Sequence, residues 1–199
     1  ISKMSFKRLF GSVPLLYLIF IVSIFILSTV LNRSDSISLF ICFSASFFAY
    51  SWICKFKYSF KSILLLGISV RCLLFYNLPN LSDDFYRFIW DGSLIHHGIN
   101  PYSLLPTHAT ELGIPTFSPE ALAQLNSSTY ATVYPPFNQL FFWLSTFLAH
   151  PLWSVGILRI FLFLTDIAST WLLHKLRPKT AVSGWFFLNP LLIWEGVGN

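Results

Sequence analysis

Leu81-Ser82-Asp83-Asp84-Phe85-Tyr86-Arg87-Phe88-Ile89-Trp90-Asp91-Gly92 is the stretch from which the fold is read. It sets three carboxylates and a guanidinium close together in a chain of 199 residues that is 55% hydrophobic and only 11% charged. A soluble domain carries about a quarter charged residues. The mean hydropathy of +0.65 and apolar runs of roughly 20 residues mark an integral membrane protein instead. The quoted stretch is therefore a polar interruption between membrane spans, and the rest of the chain is placed relative to it.

Upstream the pattern predicts three spans in residues 1–78: Val13–Leu31, Ser36–Ile53 after the turn Asn32-Arg33-Ser34-Asp35, and Ser62–Leu78. Residues 79–136, from Pro79 to Pro136, form a polar loop that holds Asp83, Asp84, Asp91 and Glu111. Phe137–Ala149 is apolar but, at 13 residues, short for a crossing. Residues 151–199 hold two further runs, Leu152–Leu173 and Ala181–Trp194. The expected fold class is an all-α, multi-span helical bundle with a large extracytoplasmic loop containing an amphipathic interfacial helix.

Orientation follows from the basic residues, which concentrate on cytoplasmic flanks. Lys3, Lys7 and Arg8 place the N-terminus inside, and Lys55, Lys57 and Lys61 mark the return of the second span. The third span then exits, so the loop lies outside. If residues 137–150 are a re-entrant or interfacial helix, His174, Lys175, Arg177 and Lys179 also fall inside. The last run then brings Trp194-Glu195-Gly196-Val197-Gly198-Asn199 to the face of the loop. The opening basic-then-apolar segment reads as an uncleaved first helix, since it is long and lacks a small-residue cleavage site. A start at Ile1 and an end just past an apolar run lead us to expect an N-terminal fragment of a longer protein. The net charge of +5 is absorbed by these flanks, so no nucleic-acid partner is expected. Cys42, Cys54 and Cys72 lack CxxC spacing and read as small buried hydrophobes.

Within the loop, Ser82 is a good N-cap, with Asp83 and Asp84 in the first turn. A helix can run to about His97, where Gly98 stops it and Asn100-Pro101 forces a turn. Asp84, Arg87 and Asp91 then share one face, and Phe85, Phe88, Ile89 and Ile95 form the other. This predicts a helix at the membrane surface with a carboxylate–guanidinium–carboxylate stripe turned away from lipid. The plain reading is that the acids complement the helix dipole and Arg87 pairs with Asp83 or Asp84. The chemical reading is that a carboxylate near the hydrocarbon boundary acts as general base on a hydroxyl.

The order of Leu81–Gly92, Gly98-Ile99-Asn100-Pro101-Tyr102, Tyr134-Pro135-Pro136-Phe137 and Asn189-Pro190-Leu191-Leu192-Ile193-Trp194-Glu195-Gly196-Val197-Gly198-Asn199 resembles GT-C superfamily glycosyltransferases. It is most similar to bacterial polyprenyl-phosphate-dependent mannosyltransferases, over about Ser62–Asn199. The resemblance implies an inverting transferase in the bacterial inner membrane. Such an enzyme moves a hexose, mannose by the best match, from a polyprenyl-phosphate donor to a hydroxyl of a glycan or lipid acceptor. The donor takes the place of a cofactor, and membrane lipids are the surrounding partners. An acid of the first large loop is then the base, Asp83 or Asp84, with Asp84 favoured by its shared face with Arg87 and Asp91. Arg87, Asp91, Arg71, Asn100, Tyr102, Tyr134 and Glu195 are the implied substrate-binding positions.

Other polar residues have alternative readings. Arg71, in the outer half of a span, either contacts a lipid phosphate or snorkels. Asp166 lies mid-span with Arg159 seven residues earlier, which suits a structural pair. Glu195 either lines the cleft or is solvated at a helix end. His96, His97 and His108 show no HxxxH or HxH pattern, and no metal is expected. Two non-enzymatic readings compete. A transporter or lipid flippase would use Arg71 and Asp166 as pathway residues, though no inverted repeat is visible. A scaffold would use the loop to bind a partner.

Overall fold

The computed structural model describes residues 13–55, 59–75, 77–79, 81–108, 122–125, 128–148, 150–178 and 182–198. Lys3, Lys7, Arg8, Lys57, Glu111, Lys179 and Asn199 lie outside them. Among the described residues every regular element is helical. In chain order these are α1 (Val13–Thr29), α2 (Ser36–Ile53), α3 (Phe60–Leu74), α4 (Asp84–His96), α5 (Pro136–Ser145), α6 (Pro151–Leu176), α7 (Val182–Phe187) and α8 (Pro190–Ile193). A 3-10 turn, Thr146–Leu148, extends α5, and a π turn, Trp194–Gly198, follows α8. The chain divides into two compact units, Ile1–Leu81 with Leu162–Asn199, and Ser82–Phe161.

In the first unit, Leu16, Phe20 and Ile24 of α1 recur every four residues and pack on Ala49, Tyr50 and Ile53 of α2. The far sides stay apolar: Leu18 of α1 and Phe40 of α2 are 58% and 74% exposed. Buried positions include Ser23, Ser46 and Thr170. Their hydroxyls donate to the carbonyls of Phe20 (3.1 Å), Phe43 (2.7 Å) and Asp166 (2.6 Å). Apolar outside with small polar groups inside is the arrangement helices adopt in lipid. Two helices, α2 with 18 residues and α6 with 26, are long and apolar enough to cross a membrane. α1 has 17 residues and α3 has 15. α3 ends at Leu74 rather than the expected Leu78, because Asn77 and Pro79 oppose further helix.

α3 and the Leu162–Leu176 part of α6 run antiparallel. Arg71 meets Asp166 at 2.7 Å, while Phe60 stacks on His174 with centroids 3.9 Å apart and planes 10° apart. Lys61 and Lys175 are therefore gathered at one end. Lys55 lies over the Trp52 ring at 4.8 Å and Lys175 over Trp171 at 4.7 Å.

The expected continuous run Ala181–Trp194 does not form. α7 has six residues and α8 four. Between them Asn189 is extended, with φ −60° and ψ 120°, and its side chain accepts from the Leu191 amide at 3.0 Å. Pro190 explains the break: it lacks an N–H and disfavours helical backbone in the residue before it.

In the second unit α4 packs on α5. Gly92 permits the approach, since a Cβ there would stand 2.3 Å from the Phe142 carbonyl oxygen. Phe88 stacks on Phe142 with centroids 4.6 Å apart. Trp90, Leu94 and Leu125 form a small core with Ile99 and Leu104 against it. With 10 residues, α5 is about 15 Å long and too short to cross.

Candidate functional site

The site is built from the two ends of α4. At its C-terminus Gly98 takes φ 71°. The Gly98 amide donates to the Ile95 carbonyl (3.0 Å) and the Ile99 amide to that of Leu94 (2.9 Å). This double closure needs a left-handed residue, which glycine supplies without strain. Asn100 then makes the turn: its Oδ1 accepts from the Tyr102 amide and its carbonyl from the Ser103 amide, both at 3.0 Å. The Tyr102 hydroxyl donates to the Tyr134 carbonyl at 2.5 Å, and the Tyr134 ring meets Phe88 edge-on at 5.1 Å. Three motifs separated in sequence, around Phe88, Asn100 and Tyr134, thus come together.

At the N-terminus the cap falls one residue later than expected, at Asp83 rather than Ser82, and the Asp83 side chain makes no capping bond. Ser82 Oγ accepts from the Asp84 amide at 3.3 Å. Asp83 and Asp84 are both exposed. Asp83 lines a pocket of about 400 Å3 with Tyr86, Ala123, Gln124 and Leu125. Burial, and then the Asp83 charge, push the Tyr86 phenol above its ordinary pKa. On the other flank the Tyr134 phenol is raised by burial, then by Asp84 and Asp91, against the opposing pull of Arg87. The two neighbouring acids thus address different tyrosines.

The expected exposed stripe is not formed. Arg87 and Asp91 are 3% and 0% exposed. Arg87 Nε donates to Asp91 Oδ1 at 3.1 Å, and its NH1 nitrogen donates to the Tyr130 carbonyl at 2.9 Å. Asp91 Oδ2 accepts from Gln139 Nε2 at 2.8 Å and from the Thr132 hydroxyl. The polar face of α4 turns inward because α5 offers a polar face to meet it, and the opposite charges satisfy each other there. Thr132 and Gln139 were not foreseen as site residues. The available signal was Asn138-Gln139, a polar pair at the head of an otherwise apolar run.

Arg71 is neither snorkelled nor directed at lipid phosphate. It is 1% exposed. It donates to Asp166 Oδ2 (2.7 and 3.2 Å) and to the Phe187 carbonyl (2.9 Å), and lies 4.3 Å above the Phe187 ring. Asp166, which spacing assigned to Arg159, is held by Arg71. Arg159 is itself buried at 3% exposure. Glu195 is exposed in the π turn and belongs, with Arg71, to the first unit. Cys54 is buried, Cys42 half-buried, and Cys72 exposed against expectation. His96 Nε2 contacts the Trp143 carbonyl at 3.0 Å and His97 Nδ1 that of Ser93 at 2.8 Å. Among the described residues no three His, Cys, Asp or Glu side chains gather as metal ligands.

Comparison with family models, curated proteins and solved structures finds no match to this chain.

Proposed function

We propose that the chain is a multi-pass membrane glycosyltransferase whose loop, residues 79–136, faces the extracytoplasmic side and takes a hexose from a polyprenyl-phosphate carrier. The observation that carries this reading is Asp83: an exposed carboxylate, unused in capping, in a pocket beside Tyr86 and Gln124. The sequence resemblance supports the reaction class, with mannose as the sugar and the bacterial inner membrane as the site. The stripe that would favour Asp84 folds inward at Arg87 and Asp91, so the base is Asp83, with Asp84 beside it.

The acceptor hydroxyl attacks the anomeric carbon as its proton passes to the Asp83 carboxylate. The new glycosidic bond forms opposite the bond to the polyprenyl phosphate oxygen, which leaves with the electron pair, so the configuration inverts. Arg87 and Asp91 act by holding α4 rather than by contacting phosphate. The positive-inside rule fits, because α3 begins and α6 ends at one basic end. α2 and α6 are then crossings by length, with the shorter α1 and α3 beside them.

The test is hexose transfer from a polyprenyl-phosphate donor by the chain in vesicles, with Asp83→Asn and Asp84→Asn measured separately. Loss of at least a hundredfold in Asp83→Asn with the donor still bound is expected. Undiminished transfer in both variants removes the reading. A transporter is the second reading, favoured by the buried Arg71–Asp166 pair beside the helix break at Asn189-Pro190. It requires solute flux that depends on Arg71 and is indifferent to Asp83.

A further inference from the structure

Three lysines of the first unit gather at one end of it without an acid among them. Lys55 follows α2, Lys61 stands in the first turn of α3 and Lys175 in the last turn of α6, and all three are exposed. Two contacts bring them together. The Phe60 ring stacks on His174 at 3.9 Å, which joins the start of α3 to the end of α6. A Cβ on Gly184 of α7 would stand 3.2 Å from Ile63 Cδ1 and 4.0 Å from Cys54 Sγ, so the end of α2 reaches the same place. Residues 54–62 and 172–180 contain no Asp or Glu. None of the three lysines is held in an ion pair among the described residues.

The helix dipole accounts for one of these charges and opposes another. Lys175, at a helix C-terminus, meets the partial negative charge there. Lys61 sits at a helix N-terminus, where the partial charge is positive, and the first turn of α3 holds no acid to offset it. Such a position favours a bound anion. Away from the lysines the surface turns apolar. Leu65, four residues past Lys61, is 69% exposed; Trp171 and Leu172, four and three residues before Lys175, are 53% and 51% exposed. That spacing puts them on the faces that carry the lysines. A cationic end above an apolar track matches an amphiphile, whereas a free phosphate or a nucleic acid would leave the track bare.

We propose that this end of α3 and α6 seats an anionic phospholipid. Its phosphate lies against Lys61, Lys175 and the first turn of α3, and its acyl chains run along Leu65, Trp171 and Leu172. Lys55 adds its field from α2. The ammonium groups of Lys55 and Lys175 lie over the Trp52 and Trp171 rings at 4.8 and 4.7 Å, and indoles favour the headgroup level of a membrane. The positive-inside rule gives this end to the cytoplasmic leaflet, where anionic lipids are held by basic side chains. The inference needs a membrane but not sugar transfer, so the two readings fail separately.

The experiment titrates the full chain, purified in detergent, with phosphatidylglycerol and with phosphatidylcholine of the same acyl chains, and counts bound lipid by native mass spectrometry. Phosphatidylglycerol is expected to bind at least about tenfold more tightly. Lys61→Gln and Lys175→Gln should each weaken it about fivefold, with phosphatidylcholine unchanged and hydrogen exchange of α3 and α6 unaltered. Lys61→Arg and Lys175→Arg should keep the preference. Arg33→Gln, which removes the same charge at the other end of α2, should change nothing. Equal binding of the two lipids overturns the proposal, as does an equal loss in Arg33→Gln, which means general attraction to a basic protein. Loss in the arginine variants overturns the role given to charge. Displacement of the lipid by glycerol phosphate at equal concentration overturns it in favour of a free anion.

Discussion

Replacing Asp91 by Ala removes the only carboxylate that is fully enclosed between α4 and α5 among the described residues. Its oxygens accept from Arg87, Gln139 and Thr132, and the pair is 4% and 0% exposed at its side chains. Breaking a buried pair from one side costs about 3–5 kcal/mol, because the remaining charge keeps its desolvation penalty. Asp91→Asn keeps the shape. Gln139 Oε1 has no hydrogen-bond partner among the described residues, so its amide can turn over and accept from the new side-chain amide. That recovers about 1 kcal/mol, leaving a cost of about 2–4 kcal/mol. Hydrogen exchange followed by mass spectrometry resolves the effect by segment. Peptides of Asp84–His96 and Pro136–Ser145 are expected to exchange together about two to three and a half orders of magnitude faster in Asp91→Ala. The Asn variant is intermediate, and α1 and α2 are unchanged. Acceleration below fivefold in Asp91→Ala, or confined to one of the two helices, refutes the idea that this pair joins them.

Gly92→Ala forces a Cβ to within 2.3 Å of the Phe142 carbonyl, a backbone clash expected to cost about 1–3 kcal/mol, read by the same exchange of α4 and α5. Arg71→Ala leaves Asp166 without its guanidinium and the Phe187 carbonyl without its donor; about 3 kcal/mol of stability should be lost in detergent unfolding, with α3 and α7 exchanging faster. The Tyr134 phenol is raised in the folded protein, so the folded state keeps its proton where the unfolded state has lost it. Stability should therefore be intact below pH about 10 and fall as pH rises through the folded pKa, and Tyr134→Phe should remove that part of the slope.

Hydropathy made the helical class legible, and Gly98 and Asn100-Pro101 marked the end of α4 within a residue. The α7–α8 break was also written in the sequence, at Asn189-Pro190, but was outweighed by the apolar run around it. The inward turn of Arg87 and Asp91 was not legible. A helical wheel says which residues share a face but not what that face meets, and here the partner is Gln139 on a helix far along the chain. Asp166 shows the same limit. Spacing found a partner on its own helix in Arg159, whereas the antiparallel packing of α3 supplied Arg71. Asp83 and Asp84 are equivalent in the sequence pattern, and only the return of Gln124 and Leu125 to α4 gives Asp83 a pocket wall, a contact no helical wheel shows.

The most direct measurement is the rate of hexose transfer from a polyprenyl-phosphate donor in vesicles, compared between the unaltered chain, Asp83→Asn and Asp84→Asn at equal hydrogen-exchange protection of α4. The account predicts that Asp83→Asn loses transfer by at least a hundredfold while Asp84→Asn keeps most of it. Equal transfer by all three chains would contradict it.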